Sequence, residues 1–430
     1  MLAEIITIGD ELLIGQIVDT NSAWMARELN NAGIFVKQIS SVSDNREHIL
    51  KALDEAKGRV DIILLTGGLG PTRDDITKNT LCEYFGVKLV FSELIYADVE
   101  KIFARFGKTV TPVNRKQAEV PENCTPLRNL NGTAPGMWFE KEGKVFVSMP
   151  GVPYEMKGLM EQEVLPRLTS LFKLPHILHR TILTQGIGES ALAEKISAWE
   201  DSIESLGIKL AYLPSPNMVR LRMTTSGPDR AELEATVSAK EEELKKIIAP
   251  YIYGYEEEKL EQLVGDLLRK RGEKLGLAES CTGGYISHLI TSVPGCSDYY
   301  EGSVVTYSYE QKERLLGVKR GTLEKFGAVS REVVSEMAAG AISKLKVHHA
   351  IAVSGIAGPT GGTPDKPVGT VWIAVATGGK VFAEKFVFGH QRDRNIEISA
   401  DTALNMLRKL LLGTDNSSLA TDNKSTGRTI

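Results

Sequence analysis

Leu275-Gly-Leu-Ala-Glu-Ser-Cys-Thr-Gly-Gly284 is an apolar run that leads into a polar, glycine-rich turn. The pattern predicts a buried strand, a tight turn and the start of a helix through residues 285–291. A side chain on such a turn lies at the carboxyl end of a sheet, where helix N–H groups favour negative charge. Gly283 and Gly284 would let backbone approach a ligand closely. Ser280 and Thr282 are therefore either helix caps or part of a site.

A possible base for Ser280 lies in the next predicted strand and helix. Val304-Val-Thr-Tyr-Ser308 predicts a strand that ends at Tyr307, with Lys312 on the following turn or helix. A serine hydroxyl is a weak nucleophile at neutral pH, and a desolvated lysine can activate it alone or through a tyrosine hydroxyl. Outside such a site, Tyr307 would be a packing residue and Lys312 a solvated charge.

Two further loops could reach the same edge of the sheet. Residues 351–359 predict a buried strand that runs into a glycine-rich loop, suited to offering backbone N–H groups to an oxyanion or phosphate. The alternative is an ordinary turn closed by Gly358-Pro359. The loop at 389–394 precedes the last predicted helix and carries Arg392, which could pair with a phosphate or remain a surface arginine.

The length and periodicity of the chain predict an α/β protein of two or three domains. Its 430 residues exceed one ordinary core. Strand and helix patterns alternate from residue 1 to about 170, which favours a parallel sheet, and again from 256 to 412. Residues 175–253 predict a small α+β connector, and the polar segment 413–430 predicts a disordered tail.

Composition excludes several classes of protein. The net charge of −4 is spread over the whole chain, so we expect no direct nucleic-acid partner. The four cysteines form no Cys-x-x-Cys pair, which argues against a disulfide framework or zinc site and favours a reducing cytoplasm. No segment reaches the about 18 apolar residues of a membrane span, and the start is unlike a signal peptide. We therefore expect a cytoplasmic protein without membrane contact.

A second glycine-rich segment lies near the N-terminus. Thr66-Gly-Gly-Leu-Gly-Pro-Thr-Arg-Asp-Asp75 follows a predicted strand at 61–65. Its glycines would let a phosphate sit on backbone N–H groups, while Asp74 and Asp75 could bind a divalent cation. The spacing fits neither a Walker loop nor a Rossmann fingerprint. The alternative is a plain glycine turn in which Asp75 caps the helix at 76–85.

Together, residues 278–284, 305–308 with Lys312, 327–330, 354–359 and 366–372 resemble the nicotinamide-nucleotide amidase domain of the CinA family. The resemblance covers residues 258–412. It implies hydrolysis of nicotinamide mononucleotide to nicotinic acid mononucleotide and ammonia, with no metal or organic cofactor. It also implies that Ser280 is the nucleophile and that Tyr307 and Lys312 activate it. The residues that we expect to contact substrate are Thr282, Gly283, Gly284, Gly355, Ala357, Gly358 and Arg392.

Residues 7–13, 19–21, 66–77 and 149–155 resemble the molybdopterin-binding-type domain of CinA proteins and molybdenum-cofactor enzymes. The resemblance covers about residues 1–170 and implies metal-dependent cleavage of a pyrophosphate such as ADP-ribose. The implied ligands of the divalent metal are Glu11, Asp44 and Asp75. The expected nucleotide-binding residues are Asp10, Asn21, Gly67, Gly68, Gly70, Asp74 and Thr77. Likeness of fold does not decide the substrate, so molybdopterin binding is an alternative.

The connector resembles the KH-like module of full-length CinA proteins, but residues 175–252 contain no Gly-x-x-Gly loop for RNA. We therefore expect a spacer and a contact within a homodimer. The predicted domains are 1–172, 175–253 and 256–412. The leading hypothesis is a bifunctional enzyme of pyridine-nucleotide salvage. The alternatives are a molybdopterin-binding protein and a non-catalytic partner in DNA uptake or damage response.

Overall fold

In a computed structural model of the chain, the structure describes residues 1–72 and 75–413. The predicted nucleotide-binding residue Asp74 and segment 414–430 of the predicted tail lie outside the described residues. Two compact units are present, one of residues 1–178 with 225–235 and one of residues 179–224 with those from 236 onward.

The N-terminal unit is built on a six-stranded sheet in the order β2-β1-β3-β8-β7-β6, with β4 and β5 forming a separate ribbon. The strands are β1 Leu2–Ile8, β2 Phe35–Val42, β3 Ile62–Thr66, β4 Leu89–Phe91, β5 Glu119–Pro121, β6 Thr125–Leu127, β7 Gly136–Lys141 and β8 Lys144–Met149. Strands β2, β1, β3 and β8 are parallel, as expected. Strands β7 and β6 are antiparallel. The predicted parallel sheet is therefore mixed, because the short connection from β7 to β8 permits only antiparallel pairing.

Helices cover both faces of this sheet. They are α1 Asp10–Leu13, α2 Thr20–Asn31, α3 Arg46–Lys57, α4 Thr77–Phe85, α5 Glu93–Arg105, α6 Pro112–Arg115, α7 Pro153–Leu159 and α8 Leu165–Leu171. In β1, Ile5 packs into the apolar cluster on one face and Ile6 into the cluster on the other. A strand buried on both faces reads as a continuous apolar run, which explains the sequence of β1.

The connector is a four-stranded sheet in the order β10-β11-β9-β12 with two long helices. Its elements are β9 His176–Gln185, α9 Glu189–Glu204, β10 Lys209–Ser215, β11 Met218–Gly227, α10 Arg230–Ile248 and β12 Ile252–Tyr255. The α+β prediction for this connector is confirmed.

The C-terminal domain has a five-stranded sheet in the order β14-β13-β15-β16-β17. Its elements are α11 Leu260–Arg271, β13 Leu275–Glu279, α12 Tyr285–Thr291, β14 Tyr300–Val305, α13 Tyr309–Leu316, α14 Arg320–Phe326, α15 Arg331–Leu345, β15 His349–Gly355, β16 Thr370–Thr377, β17 Lys380–Val387 and α16 Arg392–Leu412. Strands β14, β13 and β15 are parallel, whereas β16 and β17 are antiparallel. The loops after the three parallel strands therefore meet at one edge, where crevices in α/β sheets form.

Strand β14 ends two residues before Tyr307, earlier than the sequence predicts. The Thr306 N–H still donates to the carbonyl of Glu279, at 2.8 Å. The Ser308 hydroxyl then accepts a hydrogen bond from the Gln311 amide and starts α13. Helix capping thus ends the strand early.

None of the described helices is long and apolar enough to cross a bilayer. All four cysteines carry free thiols.

Candidate active site

Ser280 and Lys312 are in direct contact at the carboxyl edge of the C-terminal sheet. Ser280 immediately follows β13, and only 8% of its surface is exposed. Lys312 lies on α13 with no exposed surface. Its Nζ donates to Ser280 Oγ at 2.9 Å and to the Thr306 carbonyl at 2.6 Å. Two residues that are 32 positions apart in sequence thus form one buried pair.

The position of Lys312 follows from helix geometry. Lys312 and Leu316 are the buried residues of α13, and a spacing of four places them on the same face. Leu316 packs with Ala278 of β13 and anchors that face against the sheet. Lys312 is one turn earlier and therefore points toward the end of β13, where Ser280 lies.

Burial changes the acid–base chemistry of this pair. Desolvation lowers the pKa of Lys312 from 10.5 to about 8, with only a small opposing influence from Cys281. A substantial fraction of the lysine is then neutral near physiological pH and able to accept the Ser280 proton. Burial shifts the pKa of the adjacent thiol in the opposite direction and raises that of Cys281 to about 12. Cys281 is therefore a poor nucleophile, which leaves Ser280 as the candidate nucleophile of this turn.

Glu279 organises the turn, a role that sequence reasoning missed. This fully buried carboxylate accepts hydrogen bonds from the amides of Gly284 at 3.0 Å, Ile286 at 3.2 Å and Ser287 at 3.0 Å. The Ser287 hydroxyl also donates to it, at 2.8 Å. From the sequence, the N–H groups at the start of α12 were expected to favour an anionic ligand. In the structure they donate instead to the Glu279 carboxylate. Its role is to hold the turn that presents Ser280.

The predicted glycine contacts need the same correction. Gly283 N–H donates to the Ser280 carbonyl at 3.1 Å, and Gly284 N–H is bound to Glu279. Neither amide is available to a ligand in this arrangement. Thr282 keeps an available group, because its buried hydroxyl has no hydrogen-bond partner among the described residues.

Asn395 of α16 holds the loop after β15 in place. Sequence reasoning also missed this role. The buried Asn395 side chain donates to the carbonyls of Ala357 and Gly389, each at 2.9 Å. The amides of Ala357 and Gly358 have no acceptor within the described residues. Gly355 instead continues β15 and lies opposite Val371 of β16. Asn395 lies near the start of a predicted helix, and a polar residue at such a position does not by itself indicate that it contacts a loop distant in sequence.

Tyr307 and Arg392 lie together, apart from the Ser280–Lys312 contact. Arg392 Nη2 donates to Tyr307 Oη at 3.1 Å, and Nη1 donates to the Gly358 carbonyl at 3.0 Å. Tyr307 is 65% exposed. Tyr307 directly follows Thr306, whose carbonyl accepts a hydrogen bond from Lys312. The loops after β14 and β15 therefore meet the start of α16 close to the Ser280–Lys312 pair.

The N-terminal glycine loop also brings several polar groups together. Gly67 and Gly68 have φ of 117° and 64°, and a Cβ on Gly68 would collide with the Thr77 hydroxyl. Thr77 is fully buried and its hydroxyl has no partner among the described residues; the same holds for the buried Oδ1 of Asn21. Asn21 donates through Nδ2 to the Gly151 carbonyl at 2.7 Å. Unsatisfied buried groups beside a glycine loop are typical of a ligand site.

The predicted metal ligands do not form one cluster. Asp44 accepts from the Asp10 amide at 3.1 Å. Asp75 instead accepts from the Thr72 amide at 2.9 Å, beside Gly70, and Glu11 folds back over Gly9. Within the described ranges, no group of three or more His, Cys, Asp or Glu residues could hold a metal ion. The residues present thus do not fit the implied metal, and the divalent ion stays a prediction.

Three family models match the chain in succession. Residues 4–170 match a probable molybdopterin binding domain, residues 179–254 the damage-inducible protein CinA KH domain, and residues 257–411 the CinA C-terminal domain.

Similar proteins extend over nearly the whole chain. A CinA-like protein of Flavobacterium psychrophilum is 48% identical over 414 residues, covering 96% of this chain and 99% of that protein. A CinA-like protein of Chloroherpeton thalassium is 43% identical over 423 residues, covering 96% and 99%. The solved structure of the competence/damage inducible protein CihA from Agrobacterium tumefaciens is 38% identical, covers 35% of this chain and 94% of its own, and has a TM-score of 0.34. By its similarity to full-length relatives, the chain belongs to the CinA family.

Proposed function

We propose that the C-terminal domain hydrolyses the carboxamide of nicotinamide mononucleotide, with Ser280 as nucleophile and Lys312 as its base. The observation that carries the proposal is the buried contact of 2.9 Å between Lys312 Nζ and Ser280 Oγ. A lysine with a pKa of about 8 can act as a base near neutral pH. Structural lysines seldom lie fully buried against a hydroxyl, whereas catalytic ones are activated by such burial.

The reaction would proceed in two halves. Neutral Lys312 takes the Ser280 proton as Oγ bonds to the carboxamide carbon. The tetrahedral intermediate collapses, the C–N bond breaks, and the Lys312 ammonium returns a proton to the leaving ammonia. Water then attacks the resulting ester, with Lys312 accepting its proton and passing it to Ser280 Oγ. The net change is amide plus water to carboxylic acid plus ammonia.

The surrounding groups support an amide substrate that bears a phosphate. The buried Ala357 and Gly358 amides are candidates for stabilising the oxyanion, because oriented N–H groups act strongly in a desolvated site. Thr282 offers an unpartnered hydroxyl beside Ser280. Arg392 supplies a positive charge at the open side, where a 5′-phosphate could bind. The resemblance to the nicotinamide-nucleotide amidases then selects nicotinamide mononucleotide.

The test is ammonia release from nicotinamide mononucleotide by the full-length protein. Ser280→Ala should abolish release, whereas Ser292→Ala, an exposed serine of the same segment, should preserve it. Folding of both variants is checked by circular dichroism. No release from the folded wild-type protein would refute the amidase proposal.

We further propose that the N-terminal glycine loop binds a phosphorylated small molecule, with ADP-ribose as the first candidate. Support comes from Gly68 at positive φ and from the unsatisfied side chains of Thr77 and Asn21 around it. Thermal shifts with ADP-ribose and with molybdopterin would separate the two candidate ligands. Cleavage of ADP-ribose to AMP and ribose 5-phosphate with added Mg²⁺ or Mn²⁺, followed by chromatography of the products, tests catalysis. If neither compound raises the melting temperature, the ligand assignment is wrong.

A further inference from the structure

The hydrogen-bonding partner of Tyr307 is unexpected for a residue that should activate the nucleophile. Its hydroxyl accepts from Arg392 Nη2, 85 residues away in sequence. Lys312, in contrast, already uses Ser280 and the Thr306 carbonyl as partners. The tyrosine is mostly exposed, and its hydroxyl is bound by the guanidinium.

Arg392 itself has two partners that a phosphate can displace. It donates to a neutral phenol and to the neutral Gly358 carbonyl, in bonds of 3.1 and 3.0 Å. Hydrogen bonds from guanidinium to phosphate are charge-assisted at both ends and about twice as strong as those to neutral acceptors. The planar fork prefers a bidentate anion, so a phosphate beside it would compete directly for Nη1 and Nη2.

We infer that Tyr307 and Arg392 form a latch that the 5′-phosphate of the substrate opens. The inference rests on the proposed amidase function and deepens it by naming how the phosphate is used. In the resting structure Arg392 holds the Tyr307 hydroxyl. A bound phosphate takes over the guanidinium and frees Tyr307 to turn toward Ser280. The phosphate is then needed for turnover as well as for affinity, and nucleosides lacking it are excluded.

The experiment divides the substrate into two pieces, nicotinamide riboside and inorganic phosphite. Wild-type protein is assayed for ammonia release from the riboside with and without phosphite. We expect phosphite to raise turnover of the riboside by about ten- to hundredfold, the range of one to two charge-assisted hydrogen bonds. Phosphite should also inhibit hydrolysis of nicotinamide mononucleotide competitively, which shows independently that it occupies the site.

Arg392→Gln and the exposed neighbour Arg394→Gln form a matched pair on the same helix. The ratio of riboside turnover with and without phosphite should fall to about one in Arg392→Gln and stay high in Arg394→Gln. Because Tyr307 is no longer held, Arg392→Gln should turn over the riboside without phosphite faster than the wild type does. With nicotinamide mononucleotide it should raise KM and keep kcat near the wild-type value. A residue that only anchors the phosphate would raise KM without accelerating the riboside reaction.

The outcomes separate the two proposals. If the wild-type protein hydrolyses nicotinamide mononucleotide but phosphite does not accelerate the riboside reaction, the latch is wrong and the amidase proposal stands. Riboside turnover by Arg392→Gln without phosphite that is no faster than that of the wild type likewise overturns the latch. If nicotinamide mononucleotide is not hydrolysed at all, both the amidase proposal and the latch are wrong.

Discussion

Replacing Lys312 by methionine would remove the proposed base while keeping the length of the side chain. Methionine is flexible and apolar, so it should fill the same buried space on α13. Without the amine, Ser280 has no group to take its proton. Turnover of nicotinamide mononucleotide should fall by about 10²- to 10⁴-fold, the usual range for loss of a general base.

The wild-type pH profile follows from the same lysine. A pKa of about 8 leaves roughly 1% of the amine neutral at pH 6 and roughly 90% at pH 9. The rate constant kcat/KM should therefore rise about tenfold per pH unit up to neutrality and level off above pH 8. In Lys312→Met the residual rate should lose this titration.

Stability should change in the opposite direction from activity. Because the pKa is lowered from 10.5 in the unfolded chain to about 8 in the folded one, the charged lysine destabilises the fold by about 3 kcal/mol below pH 8. Methionine removes this term but loses two hydrogen bonds of about 1 kcal/mol each. The net gain at pH 7 is about 1 kcal/mol. Between pH 8 and 10.5 the wild type regains stability, since its unfolded state binds more protons, so the variant's advantage disappears.

Urea unfolding at pH 7 and pH 10 measures this difference, with the exposed Lys344→Met as control. The free energy of unfolding of Lys312→Met relative to wild type should drop by about 2.5 kcal/mol between the two pH values. The control should show no such dependence. A relative stability independent of pH, or turnover within tenfold of wild type, would refute the role of Lys312 as a desolvated base.

Three further variants, one of them with a matched control, test the structure around the proposed active site and the N-terminal glycine loop. Glu279→Gln should destabilise the domain by about 1–3 kcal/mol and lower kcat, because an amide group would face backbone donors that need an acceptor; unchanged urea unfolding and turnover would contradict this. Gly340→Ala should be severely destabilising and reduce turnover, because its Cβ would collide with the Leu316 carbonyl at the end of α13. As the control, Gly321→Ala places its Cβ in open space and should be neutral or stabilising in the same urea unfolding experiment. Thr77→Val should remove the thermal shift caused by ADP-ribose and leave ammonia release intact; loss of both in a folded variant would speak against independent sites.

The strand and helix pattern could be predicted because burial and periodicity are local properties of the chain. Helix α12, for example, spans Tyr285–Thr291 as its sequence predicts. Sheet order is different, because it depends on contacts between distant segments. Strands β7 and β8 form a hairpin, and β6 pairs with β7 in the antiparallel direction. The alternation of strands and helices in the N-terminal sequence did not reveal these antiparallel pairings.

The site shows the same division between local and distant information. A serine at the end of an apolar run, followed by glycines, marks the nucleophile turn within a few residues. Glu279 was missed because its carboxylate accepts from amides five to eight residues later, outside the fixed spacing of a capping box. The contact of Tyr307 with Arg392 spans 85 residues and depends on how two loops meet. No spacing rule along the sequence reports such a pairing.

The two charged groups of the proposed site differ in solvent exposure, and this difference suits them to different roles. Lys312 is fully buried, and its desolvation brings the amine near neutrality so that it can move a proton. Arg392 remains exposed at the rim and permanently charged, which suits recognition of an anion but not proton transfer. Lys312 variants should therefore lose rate with every carboxamide, with or without phosphate. Arg392 variants should lose only the advantage that a phosphate confers. A variant of either residue that failed in the manner of the other would show that base and phosphate site are not separate.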